Sequence, residues 1–294
     1  MQKFLLLLLL LPAAGLAEPL RVFASVVPIQ TFVKQIGEQH VDARSMVRPG
    51  FDPHAYDPTP QQISALAGAV LYMRTGMPFE DAWMARIRSA NQSMQVLDVR
   101  DGITLRTLET HDHDEHHDQD HVEHAANPAH ANEQDPHVWT SPTLVIHMVG
   151  VIRDKLSALD PTHAADFARN HDAFVAELRA LDRELHALLD PLPNRNFMVF
   201  HPAWGYFADT YRLTQVPIEH EGKEPGARAL VSLIDQAKEE NIKVIFVQPQ
   251  FDKRQARTIA QAIGGTVIAV DPLGVDYINN LRRVGQQFAQ ALQP

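Results

Sequence analysis

Short apolar runs alternate with helix-like segments along the first third of the chain. Runs rich in Val, Leu, Ala and Tyr predict buried strands at 20–26, 41–47, 69–75 and 94–99. A helix is predicted from Pro28 to about Gly37, because proline suits a first helical position, and further helices are predicted at 60–66 and 79–88. Strands that alternate with helices predict a parallel sheet with helices on both faces.

The last third of the chain shows the same alternation with different residues. Strands are predicted at 197–201, 214–218, 243–248 and 265–270. Helices are predicted at 204–211, 227–240, 253–263 and 276–292. This second series predicts a second α/β lobe.

A long amphipathic helix is predicted between the two series. Ser141 is expected to cap a helix at 142–159, and Asp160 with Pro161 is expected to start the next one. One face of this next helix carries residues at spacings of three and four: Phe167, His171, Phe174, Leu178, Leu181, Leu185 and Leu188. About eight turns give roughly 40 Å, which favours a rigid strut between two lobes. Dimerisation as a coiled coil is the weaker alternative.

The fold class that follows is α/β, with two lobes of parallel-sheet βα units joined by one long rigid helix. The expected division is a signal peptide at 1–17, an N-terminal lobe at 18–141, a helical region with the strut at 142–190, and a C-terminal lobe at 191–294. A chain of 294 residues is long enough for two domains of ordinary size.

The first seventeen residues have the features of a signal peptide. Lys3 supplies a positive charge, an apolar stretch follows at 4–11, and small residues precede a predicted cleavage after Ala17. Neither this stretch nor any later segment is long and apolar enough to span a bilayer. The sequence has no cysteine, so a lipid anchor is not expected. We therefore expect a soluble exported protein in the periplasm of a Gram-negative cell.

Charge narrows the range of partners. The chain has 26 Lys and Arg against 36 Asp and Glu, for a net charge of −10 with neutral histidine. A nucleic-acid partner normally requires a basic surface, so this class of partner is excluded. The absence of cysteine also means that any metal site must be built from histidine and carboxylate side chains.

A histidine-rich tract interrupts the first lobe at 109–134. It has no apolar periodicity, so we expect a disordered loop without a core of its own. Imidazole and carboxylate groups at this density suit zinc and its neighbours, which predicts weak secondary metal sites. The alternative is a solvated insertion without function. The tract histidines are His111, His113, His116, His117, His121, His124 and His130.

Four other residues lie at junctions between predicted elements, and each adjoins a proline: His54, His137, His201 and Asp271. Neighbouring proline restricts the backbone and helps to hold a ligand in place. A single histidine at a strand end is more often a local hydrogen-bonding group, and Asp271 could simply begin a turn. Position alone therefore makes these residues candidates for a metal site.

Five segments of the sequence resemble a known motif series: GFDPHAYDPTP, YMRTGMPFEDAW, DPHVWTSP, FHPAWGYFADTY and VDPL. The series is that of the metal-binding solute-binding proteins of ABC transporters (cluster A-I), in particular the ZnuA-like zinc-uptake branch. The resemblance covers essentially the whole chain after 1–17. It implies two α/β lobes joined by a rigid helix, with one metal ion in the cleft. His54 and His137 would come from the first lobe, and His201 and Asp271 from the second.

The resemblance also bears on the choice of metal. Manganese-type relatives tend to carry Glu where this chain has His201, and three imidazoles with one carboxylate suit tetrahedral zinc. Some zinc-type members carry Glu immediately before the first ligand, where this chain has Pro53. Asp271 is therefore the expected carboxylate ligand, with water as the alternative in the fourth position.

The expected function is capture of Zn²⁺, as transported ligand, and its delivery to an inner-membrane ABC permease by a monomer that is not an enzyme. Other periplasmic zinc-binding proteins form a second class of expected partner. A manganese or iron carrier of the same fold is the first alternative. An exported zinc hydrolase is the second, although the sequence has no His-Glu-x-x-His motif.

Overall fold

The computed structural model describes residues 18–108, 134–219 and 223–293. The first lobe contains four parallel strands in the order β2-β1-β3-β4. They are β1 (Leu20–Ala24), β2 (Val41–Ser45), β3 (Leu71–Arg74) and β4 (Gln95–Asp98). Its helices are α1 (Val27–Gly37), α2 (Pro60–Ala65) and α3 (Pro78–Ala90). Each helix has proline in its first turn, where a missing N–H costs nothing.

The second lobe has the same strand arrangement, in the order β6-β5-β7-β8, again parallel. The strands are β5 (Asn196–Val199), β6 (Thr214–Pro217), β7 (Val244–Val247) and β8 (Thr266–Ala269). Its helices are α6 (Gly205–Tyr211), α7 (Ala227–Glu239), α8 (Arg254–Ala262) and α9 (Tyr277–Ala291). The prediction of two parallel α/β lobes is therefore confirmed.

The central strands of the second-lobe sheet, β5 and β7, are buried on both faces, which explains their nearly continuous apolar sequences. Phe197, Val199 and Phe246 belong to the large core shared with the first lobe and the central helices. Met198 and Ile245 point the other way, into a second core that is completed by residues of α7 and α8. Successive side chains thus alternate between the two cores, as the twofold period of a strand requires.

Two central helices join the lobes, α4 (Pro142–Leu159) and α5 (Ala164–Leu189). The 26 residues of α5 span about 39 Å at 1.5 Å per residue. It packs against α1 of the first lobe and against α9 of the second. The rings of Phe174 and Phe32 lie 6.0 Å apart on the first side, and Glu184 pairs with Arg282 at 2.9 Å on the second. The predicted strut is confirmed.

Local details differ from the sequence-based expectations. Ser141 precedes α4, but its hydroxyl bonds the hydroxyls of Thr143 and Thr210 at 2.8 Å rather than a backbone N–H. Asp160 and Pro161 start a short 3₁₀ turn instead of the long helix itself, and the Asp160 side chain bonds the ring of His163. All eight strands described above are also shorter than predicted, because their apolar runs continue into the following or preceding loops.

No helix in the described part of the chain is long and apolar enough to cross a membrane. The predicted signal peptide at 1–17 lies outside the described residues, as does the tract except for Gln134. Gln134 forms an isolated antiparallel bridge with Thr107, so the chain segments on either side of 109–133 lie side by side in the first lobe.

Candidate metal centre

Three of the four predicted junction residues meet at the cleft between the lobes. His54 lies in the loop between β2 and α2, His137 lies just before α4, and His201 follows β5. One nitrogen from each ring lies within 4.8 Å of the other two. Among the described residues, no other group of three histidine or carboxylate side chains is brought together in this way.

The spacing of the nitrogens matches a tetrahedral metal site. The Nε2 atom of His137 lies 3.2 Å from Nε2 of His54 and 3.4 Å from Nε2 of His201. Zinc–nitrogen bonds of about 2.0–2.1 Å place two tetrahedral ligands about 3.3–3.4 Å apart. The two separations that involve His137 are therefore close to the edge length of a zinc tetrahedron.

Asp135 orients the ring of His137. Its Oδ1 accepts the ring Nδ1–H at 2.7 Å and the backbone N–H of the same histidine at 2.9 Å. Both side chains are buried. A carboxylate partner on Nδ1 places the proton there and leaves the Nε2 lone pair for a metal ion.

His201 is held from three directions in the second lobe. Its Nδ1 donates to Oε1 of buried Glu219 at 2.5 Å. The side chain of Gln248 bonds both the N–H and the carbonyl of His201, at 3.2 and 2.6 Å. The ring also stacks on Phe251, with 4.9 Å between centroids. These contacts fix the direction of Nε2 before any ion arrives.

Burial keeps the imidazoles of His54 and His201 uncharged. Desolvation, followed by the neighbouring imidazoles, lowers the pKa of His54 and of His201 well below the usual 6.5. Burial also raises the pKa of Glu219 to about 7. Neutral imidazole is the form that binds a metal ion, so no proton must be displaced from these two rings at pH 7.

Asp271 does not join the three-histidine group. It follows β8 and is half-buried, and its Oδ1 accepts the side-chain N–H of Gln250 and the backbone N–H of Leu273, both at 2.9 Å. The hydrogen bond to Leu273 shows that Asp271 begins a turn, which was the alternative to a metal ligand for an aspartate before proline.

Two residues that support the site, Asp135 and Glu219, were not identified from the sequence. A signal for the first was present, because Asp-Pro-His occurs at 52–54 and again at 135–137. In both copies the aspartate Oδ1 accepts the histidine backbone N–H at 2.9 Å, which fixes the turn that presents the ring. Glu219 lies eighteen residues after its partner His201, and nothing in its local sequence marks it.

A polar cavity of about 360 Å³ adjoins the site on the first-lobe side. His54 lines it together with Arg74, Arg100, Leu108 and Gln134 among others. Leu108, the residue before the histidine-rich tract, and Gln134, its last residue, both line this cavity.

The chain is similar to known proteins both in sequence and in fold. The profile of the family described as "Zinc-uptake complex component A periplasmic" matches residues 22–291. A solved structure described as "Crystal structure of ZnuA" superposes with a TM-score of 0.85 at 40% identity and covers 94% of this chain and 100% of that one.

Two curated proteins show the same relationship in sequence. The "High-affinity zinc uptake system protein ZnuA" of Bacillus subtilis is 30% identical over 259 residues, which are 87% of this chain and 79% of that protein. The "Zinc-binding protein AdcA" of Streptococcus pyogenes serotype M3 is 28% identical over 281 residues, which are 90% of this chain. The chain spans about half the length of that protein, 54%. Since the family profile matches nearly the whole chain, this protein belongs to the ZnuA family of periplasmic zinc-uptake components.

Proposed function

We propose that the chain binds one Zn²⁺ ion tightly in the cleft and carries it to a membrane permease of the ABC type. The observation that carries the proposal is the pair of Nε2–Nε2 distances, 3.2 and 3.4 Å, among three buried or half-buried imidazoles from two lobes. Such spacing is expected of zinc ligands. The carboxylates of Asp135 and Glu219 hold the protons of His137 and His201 on Nδ1, so the two Nε2 lone pairs would repel each other without an ion between them. His54, His137 and His201 are the proposed ligands.

The fourth ligand is Asp271 or a water molecule. Asp271 contributes its carboxylate only if the β8 end shifts towards the three rings, since the aspartate lies outside their group. An Asp271→Asn variant separates the two cases. A loss of zinc affinity of tenfold or more supports the carboxylate, and unchanged affinity supports water.

The donor set favours zinc over manganese or iron. Three imidazole nitrogens suit zinc, while manganese prefers more oxygen ligands. The relatives named above are described as zinc-binding or zinc-uptake proteins, which supports the same choice. Manganese transport would require oxygen ligands that this centre does not supply from its three rings.

A carrier fits the site better than a zinc hydrolase. A catalytic zinc needs an open position and a general base beside the bound water. Asp135 and Glu219 instead bond the Nδ1 atoms of two proposed ligands, so both carboxylates orient the rings.

Family membership points to zinc uptake and therefore to an exported protein. We propose the periplasm of a Gram-negative cell as its location and a monomer as its working form.

The histidine-rich tract is proposed as a secondary, weaker store of zinc. Its seven histidines supply ligands, and Leu108 and Gln134, at its two ends in the sequence, line the cavity that His54 also lines. A weak site tethered this close raises the effective concentration of zinc at the centre. We also propose that the protein exchanges zinc with other periplasmic zinc-binding proteins.

Elemental analysis and metal titration test the proposal. Protein purified without added metal should contain zinc in preference to manganese or iron. After the metal is removed with a chelator, titration with zinc should reveal one tight site, and titration with manganese should reveal much weaker binding. If manganese bound as tightly as zinc or more tightly, the transported ion would be manganese. Hydrolysis of ester or peptide substrates by the zinc-loaded protein would instead support the zinc hydrolase.

A further inference from the structure

Asp135, the carboxylate that orients His137, is itself held by Arg106. Oδ1 of Asp135 is used by the two N–H groups of His137, and Oδ2 lies 3.6 Å from Nη1 of Arg106. The Asp135 side chain is 1% exposed and that of Arg106 is 18% exposed. A buried carboxylate requires a counter-charge, and Arg106 supplies it.

The backbone of Arg106 restrains the same aspartate. The N–H of Asp135 donates to the carbonyl of Arg106 at 2.9 Å. The neighbouring residues form an antiparallel bridge, since Thr107, which follows Arg106, pairs with Gln134, which precedes Asp135. Arg106 and Asp135 are thus fixed side by side.

Arg106 also contacts helix α6 of the second lobe. Its Nε lies 3.2 Å from Oδ2 of Asp209. The Tyr206 hydroxyl accepts the N–H of Arg106 at 3.1 Å and donates to the carbonyl of Asp135 at 2.9 Å. Burial raises the pKa of Tyr206 to about 12, so this hydroxyl keeps its proton at neutral pH.

Gly205, the first residue of α6, makes this approach possible. A Cβ atom at this position would overlap Nη1 of Arg106 and would come within 3.0 Å of Oδ2 of Asp135. The guanidinium therefore lies directly against the start of the helix, where only a hydrogen atom fits.

We propose that Arg106 is a positioning residue for zinc binding, which holds Asp135, and through it the ring of His137, against α6 of the second lobe. The inference rests on the proposed function, because it assumes that His137 binds the metal. Its physical reason is that the ligands come from both lobes. The 3.4 Å separation of Nε2 in His137 and His201 can be kept only if the lobes are held in register at the centre.

The direction in which zinc affinity changes when Arg106 is removed distinguishes a positioning role from a purely electrostatic one. A positive charge near a cation site repels the ion, so charge alone predicts that removal of Arg106 strengthens zinc binding. Positioning predicts the opposite, since carboxylate partners of ligand histidines typically contribute about 10–100-fold to metal affinity.

The experiment compares Arg106→Gln, Arg106→Lys and Tyr206→Phe with the parent, all in the full chain. Arg153→Gln is the matched control, because Arg153 is a half-buried arginine of α4, 31% exposed, whose ion pair with Asp154 at 2.7 Å includes no proposed ligand. Zinc affinity is measured by competition with a chelator, the dissociation rate by trapping with excess chelator, and the ligand geometry by absorption of the Co²⁺-loaded protein.

We expect Arg106→Gln to bind zinc about tenfold more weakly and release it faster, with an altered Co²⁺ spectrum. Arg106→Lys should recover part of the loss, because one ammonium can pair with Asp135 but cannot also reach Asp209 as the arginine fork does. Tyr206→Phe changes no charge and should also speed release. Arg153→Gln should bind zinc as the parent does.

Parental or tighter affinity of Arg106→Gln, with an unchanged Co²⁺ spectrum, would overturn the inference, as would an equal loss in Arg153→Gln. If Arg106→Gln fails to fold, Tyr206→Phe decides the question, and parental release from that variant overturns the inference. A parent protein that binds no zinc would instead overturn the proposed function itself.

Discussion

Replacing Glu219 with glutamine tests whether the charge behind His201 contributes to zinc binding. Glu219 is buried, and its Oε1 accepts the Nδ1–H of His201 at 2.5 Å. Glutamine keeps an acceptor oxygen and nearly the same shape but removes the negative charge. Hydrogen bonds to charged groups contribute about 1.5–3 kcal/mol and neutral ones about 0.5–1.5 kcal/mol, a difference of about 1–1.5 kcal/mol. Zinc affinity should therefore fall about tenfold.

The size of this loss should depend on pH in a defined direction. Burial raises the pKa of Glu219 to about 7 in the metal-free protein. Above this pH the carboxyl is ionised and assists the ligand. Below it, zinc binding must first release the proton. The ratio of variant to parental dissociation constants should be largest near pH 8 and should shrink as the pH falls through 7 towards 6.

The assay is competition for zinc with a chelator of known affinity at pH 6, 7 and 8. Glu240→Gln provides the control, because Glu240 is a second-lobe glutamate that bonds Asn196 and Gln236 and no proposed ligand. It removes the same charge and should leave zinc affinity unchanged. Equal zinc affinity of Glu219→Gln and the parent at pH 8 would refute the role assigned to this carboxylate.

Three further outcomes are expected. His201→Glu should shift the zinc-to-manganese affinity ratio towards manganese, since a hard oxygen replaces a nitrogen, and an unchanged ratio in parallel titrations would count against His201 as a ligand. Leu178→Ala, at a fully buried position of the strut, should lower the free energy of unfolding by about 2–5 kcal/mol in urea titrations, and a change below 1 kcal/mol would mean that the strut is loosely packed. On acidification from pH 7 to 5 the tract should release zinc before the centre does, because burial holds the pKa of His54 and His201 well below 6.5. The measurement compares zinc release from the full chain with release from a form that lacks 109–134. Release from the tract and from the centre at the same pH would contradict this order.

The two lobes and the strut could be predicted because their information is local. Apolar runs of strand length, proline at helix starts and the spacing of Phe167, Phe174 and Leu181 each occupy a short window of sequence. The ends of elements were less predictable. The hydroxyl of Ser141 is shared with Thr210 of the second lobe, a contact formed only after the lobes assemble.

The candidate site was predictable in part for the same reason. His54 and His137 each follow Asp-Pro in a turn, and His201 ends an apolar run. A few neighbouring residues are therefore enough to indicate each of these positions. Glu219 and Arg106 are not marked in this way, because their roles depend on contacts over 18 and more residues. The resemblance placed Asp271 at the metal, whereas the structure shows its Oδ1 engaged in a turn outside the three-histidine group. Its part in zinc binding remains a prediction.

The most direct test of the proposed centre is a calorimetric zinc titration of the protein lacking 109–134. If His54, His137 and His201 form the tight site, this form should bind one zinc ion per chain with the affinity of the tightest site in the full chain. The same form with His137→Ala should lose that tight event while retaining its fold. Abolition of tight binding by the deletion alone would contradict the account and would place the primary site in the tract.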